Sequence, residues 1–168
     1  MIQRFEHGGN VYRPSPKGKA WLDFSANINP LGLSPAVRQA LAAHLDQVVH
    51  YPDPAGTALR QALEQAYGVP GGSIVLGNGA AELFYLYMHT FRPQRVLLPV
   101  PSFSEYERAA RAAGAVVDYG YLKEDDGFAF PWKELRQACG QSDCIVLGNP
   151  NNPTGTCLLY TSPSPRDS

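Results

Sequence analysis

Residues 95–122, RVLLPVPSFSEYERAARAAGAVVDYGYL, decide the fold. The stretch opens with an apolar strand pattern, RVLLPV, and breaks at a proline-rich turn. An alanine-rich helical segment follows and stops at Gly114, and AVVDYGYL then reads as a second strand. Two strands joined through a helix run parallel, because a tight hairpin cannot return the chain to the same end. The same alternation extends both ways. Upstream, SIVLGNGAAELFYLYMHTF (73–91) reads as a strand at Ile74–Leu76, a glycine turn and a helix. Downstream, DDGFAFPWKELRQACG (125–140) reads as a turn and a short helix from about Pro131, and DCIVLGNP (143–150) as a fully apolar strand. The expected class is α/β, a mostly parallel sheet with helices on both faces.

The N-terminal part is less regular. Residues 1–33 carry the loop signals HGGN, RPSPKGK and NINPLG. Ser34 before Pro35 marks a helix start, and Val37, Leu41 and Leu45 carry the helix to about Val48. After HYPDPAG, Thr57 is the expected cap of a second helix, with Leu59, Leu63, Ala66 and Tyr67 on one side and Gly68 as a left-handed stop.

Composition narrows the function. The 168 residues are 44% hydrophobic with a formal net charge of −1, enough for a packed core and without a basic run for nucleic acid. No signal-peptide stretch opens the chain and no window is apolar enough to span a bilayer. Cys139, Cys144 and Cys157 fit no zinc pattern and read as reduced thiols of a cytoplasmic protein.

Ligands of such sheets bind beyond the carboxyl ends of the strands. Three strand ends carry unusual residues there: GNGAAE, PVPSFSEY and GNPNNPTG. Gly77, Asn78 and Gly79 permit a sharp turn, and a helix beginning there aims the N–H groups of Gly79, Ala80 and Ala81 outward, as an anion site or as a plain strand–helix turn. The spacing is neither GxGxxG nor a nucleotide-triphosphate loop. Phe103 can stack on a flat heterocycle or pack in the core. Asn152 can donate to a phenolate oxygen or a carboxylate, while Asn149 and Asn151 shape the turn.

In this order and spacing the three segments resemble the fold-type I pyridoxal-phosphate enzymes of the aminotransferase class I and II superfamily, over roughly residues 20–155. The resemblance implies pyridoxal 5'-phosphate as cofactor, its phosphate on the backbones of Gly79 and Ala80, its ring on Phe103 and its ring oxygen on Asn152. YPDP resembles the segment whose tyrosine reaches the neighbouring subunit's cofactor, which implies that role for Tyr51 and a homodimer. HGGN (7–10) with LDFSANINPLG (22–32) resembles the threonine-phosphate decarboxylase branch of cobalamin biosynthesis, close kin of the histidinol-phosphate aminotransferases. That branch implies a phosphorylated amino-acid substrate contacted by His7, Gly8 and Asn27, and Asn152 is counted with them as substrate-binding. A glycine loop bearing one histidine can fold over a phosphoryl group. His44, His50 and His89 have no such context.

The family's Schiff-base lysine has no counterpart: Lys17, Lys19, Lys123 and Lys133 all precede the NPTG turn and none fits the motif. The pyridine-nitrogen acid and the carboxylate-binding arginine have none either. The expected organisation is an N-terminal arm and helix (1–50), part of a cofactor-binding domain (51–156) and a Ser/Pro-rich end (157–168) that reads as non-native read-through. The chain by itself is therefore expected to be inactive. Transamination of histidinol phosphate is the alternative chemistry, and a non-catalytic phosphometabolite-binding module the alternative class.

Overall fold

A computed structural model of the protein describes residues 8–12, 14–15 and 18–158. The chain divides into two compact units, Met1–Ile74 and Val75–Ser168. No helix among the described residues is long and apolar enough to cross a membrane.

The first unit holds α1 (Pro35–Ala43) and α2 (Thr57–Tyr67). Ser34 caps α1, its side chain accepting from the Val37 N–H at 3.3 Å, with Pro35 in the first turn. The α-helix ends before Val48. His44 leaves helical geometry (φ −110°, ψ 7°), its N–H is shared between the carbonyls of Ala40 and Leu41, and a 3₁₀ turn carries Leu45–Val49.

The start of α2 also differs from expectation. Thr57 lies inside the helix, and its first turn is capped from four residues back. The Asp53 carboxylate accepts from the N–H groups of Ala55 (2.9 Å) and Thr57 (2.8 Å). A carboxylate at a helix N-terminus satisfies orphan donors and opposes the positive end of the dipole. The hydrogen bonds from Thr57, then from Ala55, hold Asp53 below the ordinary carboxylate range. A depressed carboxyl supports the folded state above its unfolded pKa and loses that contribution as pH falls through the folded value. Asp53→Ala should therefore fray the first turn of α2 at neutral pH, read from backbone chemical shifts at residues 55–58. Acid should fray that turn in the parent chain and change it no further in the variant. Gly68 (φ 63°) ends α2, and Arg60 donates to the carbonyls of Gly71 and Ile74, fastening the following turn to the helix.

The second unit is a three-stranded parallel sheet in the order β2-β1-β3, with β1 at Arg95–Val100, β2 at Val116–Tyr121 and β3 at Cys144–Ile145. Helices α3 (Gly79–Phe91), α4 (Ser104–Ala112) and α5 (Trp132–Cys139) accompany it. The pleat of β1 sends successive side chains to opposite faces. Val96 and Leu98 join Met88 of α3, Tyr106, Ala109 and Ala110 of α4, and Val117 of β2. Leu97 joins Leu122, Phe130 and Leu135 of α5 on the other face. Burial on both faces explains why β1 reads as a continuous apolar run rather than an alternating one. The Asp143 carboxylate fastens the amino end of the sheet, accepting from the N–H groups of Gln94 and Arg95.

Two strands are shorter than their sequences suggest. Ile74 is extended (φ −108°, ψ 124°), but Ile74–Leu76 pairs with no strand among the described residues. In the apolar run after Asp143 only Cys144–Ile145 forms a ladder, with Val146 adding a hydrogen bond to the Leu97 carbonyl. Apolarity makes a segment suitable for a strand, but a ladder needs a neighbouring backbone, and among the described residues β3 has one on its β1 side alone.

Candidate functional site

The turns after β1 and β3 meet at the carboxyl end of the sheet, because their parent strands are neighbours. Asn151 joins them. It is 3% exposed, and its Nδ2 donates to the Pro101 carbonyl at 3.1 Å and to Thr154 Oγ1 at 2.8 Å. Its backbone closes the second turn, with Asn151 N–H to the Thr156 carbonyl (2.8 Å) and Gly155 N–H to the Asn151 carbonyl (2.7 Å). The Leu158 N–H donates to Asn149 Oδ1, so the chain beyond the turn folds back on it. The peptide bonds preceding Pro101, Pro150 and Pro153 are cis. With Asn151 committed to the scaffold, Asn152 is left exposed at the rim.

Phe103 lies at the cap position of α4, partly buried against the core, with its ring edge-to-face on Tyr106 at 5.6 Å. Tyr106 also meets Phe84 of α3 edge-to-face at 4.7 Å. Gly148 runs close by: a Cβ built there would stand 3.4 Å from the Tyr106 hydroxyl. One buried tyrosine thus packs on α3 and the Phe103 turn and lies beside the segment that follows β3. Burial pushes its hydroxyl pKa up, which keeps it neutral.

Gly79 begins α3 at φ +80°, five residues before Phe84. Its own N–H is not an outward donor, since it closes a tight turn onto the Gly77 carbonyl at 2.9 Å. The free donors of the helix start move one residue on, to Ala80 and Ala81. Glu82, four residues on, reaches back to accept from the Asn78 N–H, satisfying a backbone donor at the helix start. An acid four residues after the glycine-turn asparagine is the legible sign of this contact.

The first unit brings Gly8 and Gly9 of HGGN against Ser25 and Ala26 of SAN. Gly8 lies so close to the backbone of Ser25 that a Cβ would fall 1.7 Å from the Ser25 carbonyl oxygen. Gly9, at φ +84°, donates its N–H to Ser25 Oγ at 2.9 Å. HGGN and SAN are therefore in direct contact at Gly8, Gly9, Ser25 and Ala26. The Ile28 N–H donates to the Ala26 carbonyl, making Asn27 the exposed apex of a three-residue turn. The Asp23 carboxylate accepts from the hydroxyl and then the N–H of Ser25, and these bonds hold its pKa below the ordinary range. Tyr51 is fully exposed. His7 lies outside the described residues.

The profile of the aminotransferase class I and II family matches residues 19–159. A threonine-phosphate decarboxylase of Salmonella typhimurium is 37% identical over 153 residues, covering 89% of this chain and 42% of the relative. The crystal structure of L-threonine-O-3-phosphate decarboxylase from Porphyromonas gingivalis is 36% identical, with a TM-score of 0.60 over 73% of this chain and 35% of that one. The histidinol-phosphate aminotransferase from Clostridium acetobutylicum is 32% identical, with a TM-score of 0.68 over 77% of this chain and 38% of that one. The chain spans about two fifths of the length of the curated relatives it matches. With the family profile running through residues of both units and these solved structures matching the fold at TM-scores of 0.68 and 0.60, this chain belongs to the aminotransferase class I and II family.

Proposed function

We propose that the full-length protein uses pyridoxal 5'-phosphate to decarboxylate L-threonine O-3-phosphate to (R)-1-amino-2-propanol O-2-phosphate, a step of cobalamin synthesis in the cytoplasm. In this reading residues 1–50 are an arm carrying the substrate loop and 51–156 are part of the cofactor-binding domain. The observation that carries the choice of substrate is the contact of Gly8 and Gly9 with Ser25 and Ala26, because it unites the two motifs that mark the decarboxylase branch.

The residues of the second unit fit the cofactor. A phosphate needs several convergent N–H donors, and the start of α3 offers Ala80 and Ala81 beyond the Gly79 turn. A planar ring needs an aromatic neighbour held in place, and Phe103 is held by Tyr106. A ring oxygen needs a donor not already spent, and Asn152 is exposed while Asn151 carries the turn. When bound, the cofactor supplies an electron sink for the bond broken beside the amine.

The protein's contribution is orientation. The bond that breaks is the one held perpendicular to the conjugated ring, so a decarboxylase must stand the substrate carboxylate upright. Gly8 and Asn27, with His7, hold the substrate phosphate and set that rotation; Asn152 donates toward the carboxylate. Tyr51 is assigned to the cofactor phosphate of a second subunit in a homodimer, a role its full exposure permits.

The test is an assay of the full-length protein with each substrate. Carbon dioxide release from threonine phosphate, without need of 2-oxoglutarate, is expected. Turnover of histidinol phosphate that depends on 2-oxoglutarate, with no carbon dioxide from threonine phosphate, would replace this reading by the aminotransferase one.

A further inference from the structure

We propose that Ser25 and Asp23 are positioning residues that set the glycine loop for the phosphorylated substrate. The inference rests on the proposed function. Neither residue is among those the family resemblance implies.

The argument begins with hydrogen-bond polarity. A serine hydroxyl has one proton and two lone pairs, whereas an ionised carboxylate can only accept. Asp23 Oδ1 lies 2.5 Å from Ser25 Oγ and 2.8 Å from the Ser25 N–H. The hydroxyl proton therefore goes to Asp23, and a lone pair is left for Gly9, whose N–H arrives at 2.9 Å across sixteen residues of sequence. The carboxylate fixes which way the hydroxyl points, and the hydroxyl fixes where the loop lands.

Sterics make the landing specific. At Gly8 any side chain would run into the Ser25 carbonyl, and at Gly9 the backbone sits in the left-handed region that favours glycine. A Cβ on Gly9 would stand 3.4 Å from the Ala26 Cβ, so the loop abuts the residue next to Asn27. The Gly9 N–H is spent on Ser25 and is removed from the donors a phosphate could use. Gly8 and Asn27 then face the substrate from two segments held in register, and the ordering entropy of the loop is met before binding.

The test uses the full-length protein with threonine phosphate. Ser25→Ala should raise KM roughly tenfold while kcat stays within about threefold, the pattern of lost binding rather than lost chemistry. Inorganic phosphate should weaken as an inhibitor in parallel. The affinity for pyridoxal 5'-phosphate, read by absorbance, should not change. Ser25→Thr, which keeps the hydroxyl, should restore KM. Asp23→Asn, which can turn the hydroxyl the other way by donating to it, should fall between the parent and Ser25→Ala.

If the parent releases no carbon dioxide from threonine phosphate, the functional reading fails and the inference falls with it. If the parent is active and the Ser25 and Asp23 variants keep its KM, the inference alone is overturned. Equal loss of cofactor affinity and KM in Ser25→Ala, or no rescue by threonine, also overturns it, because the pair would then be merely structural.

Discussion

Asn151→Ala is expected to be among the most damaging single changes at the rim of the sheet, although the neighbouring Asn152 is the residue we propose for the ligand. The Asn151 carboxamide is 3% exposed and bonds both the Pro101 carbonyl and Thr154 Oγ1. Truncation removes both of these hydrogen bonds, each worth about 0.5–1.5 kcal/mol. It also frees the turn after β3 from the turn after β1, so Asn152 and Phe103 lose their common frame. Urea unfolding of the 168-residue chain should show a lower midpoint with an unchanged slope. A cofactor titration of the full-length variant should show weaker binding. Asn152→Ala is the contrast: its exposed side chain predicts a stability change within about 0.5 kcal/mol, with the cofactor affinity lost nonetheless. Similar stability losses in both variants would contradict the division of labour between the two asparagines.

The second large effect is in the core. Leu98 is 1% exposed, packed in the cluster that includes Met88, Tyr106, Ala109, Ala110 and Val117. Leu98→Ala removes buried methyl groups and leaves a cavity between α3, α4 and the sheet, at a cost of about 2–5 kcal/mol. That is a large part of the roughly 5–15 kcal/mol that holds a typical domain together. Val116→Ala on the neighbouring strand is the control. Val116 is 52% exposed at the open edge of β2, and its truncation should move the unfolding midpoint far less. A Leu98→Ala midpoint as mild as that of Val116→Ala would mean that this face of the sheet is not the core.

Much of the fold was legible because its signals are local. Positive φ at Gly68 and Gly114 matches the stops expected from glycine after a helical run. Pro35 after Ser34 starts a helix because the missing N–H costs nothing there. The NPNNPTG turn announced itself through residues whose conformations are restricted whatever surrounds them. The sharing of roles between Asn149, Asn151 and Asn152 was not legible. All three are turn-formers, and only the carbonyl of Pro101, fifty residues from Asn151, singles out the one that is buried. The engagement of the Gly79 N–H by Gly77, and the capping of α2 by Asp53 rather than Thr57, were missed because several nearby groups could serve and small backbone angles choose among them.

By itself the sequence determined the alternation of strands and helices, the parallel sheet with apolar residues on both faces, and the glycine and proline turns at its carboxyl rim. These follow from periodicity and from the steric limits of single residues, which act over a few positions. Only the tertiary structure decided that Gly8 and Gly9 rest on Ser25, that Asn151 locks two turns together, and that Ile74–Leu76 pairs with no strand among the described residues. Each of these depends on which distant backbone comes within hydrogen-bond reach, a condition set by packing in space and carried by no local run of residues.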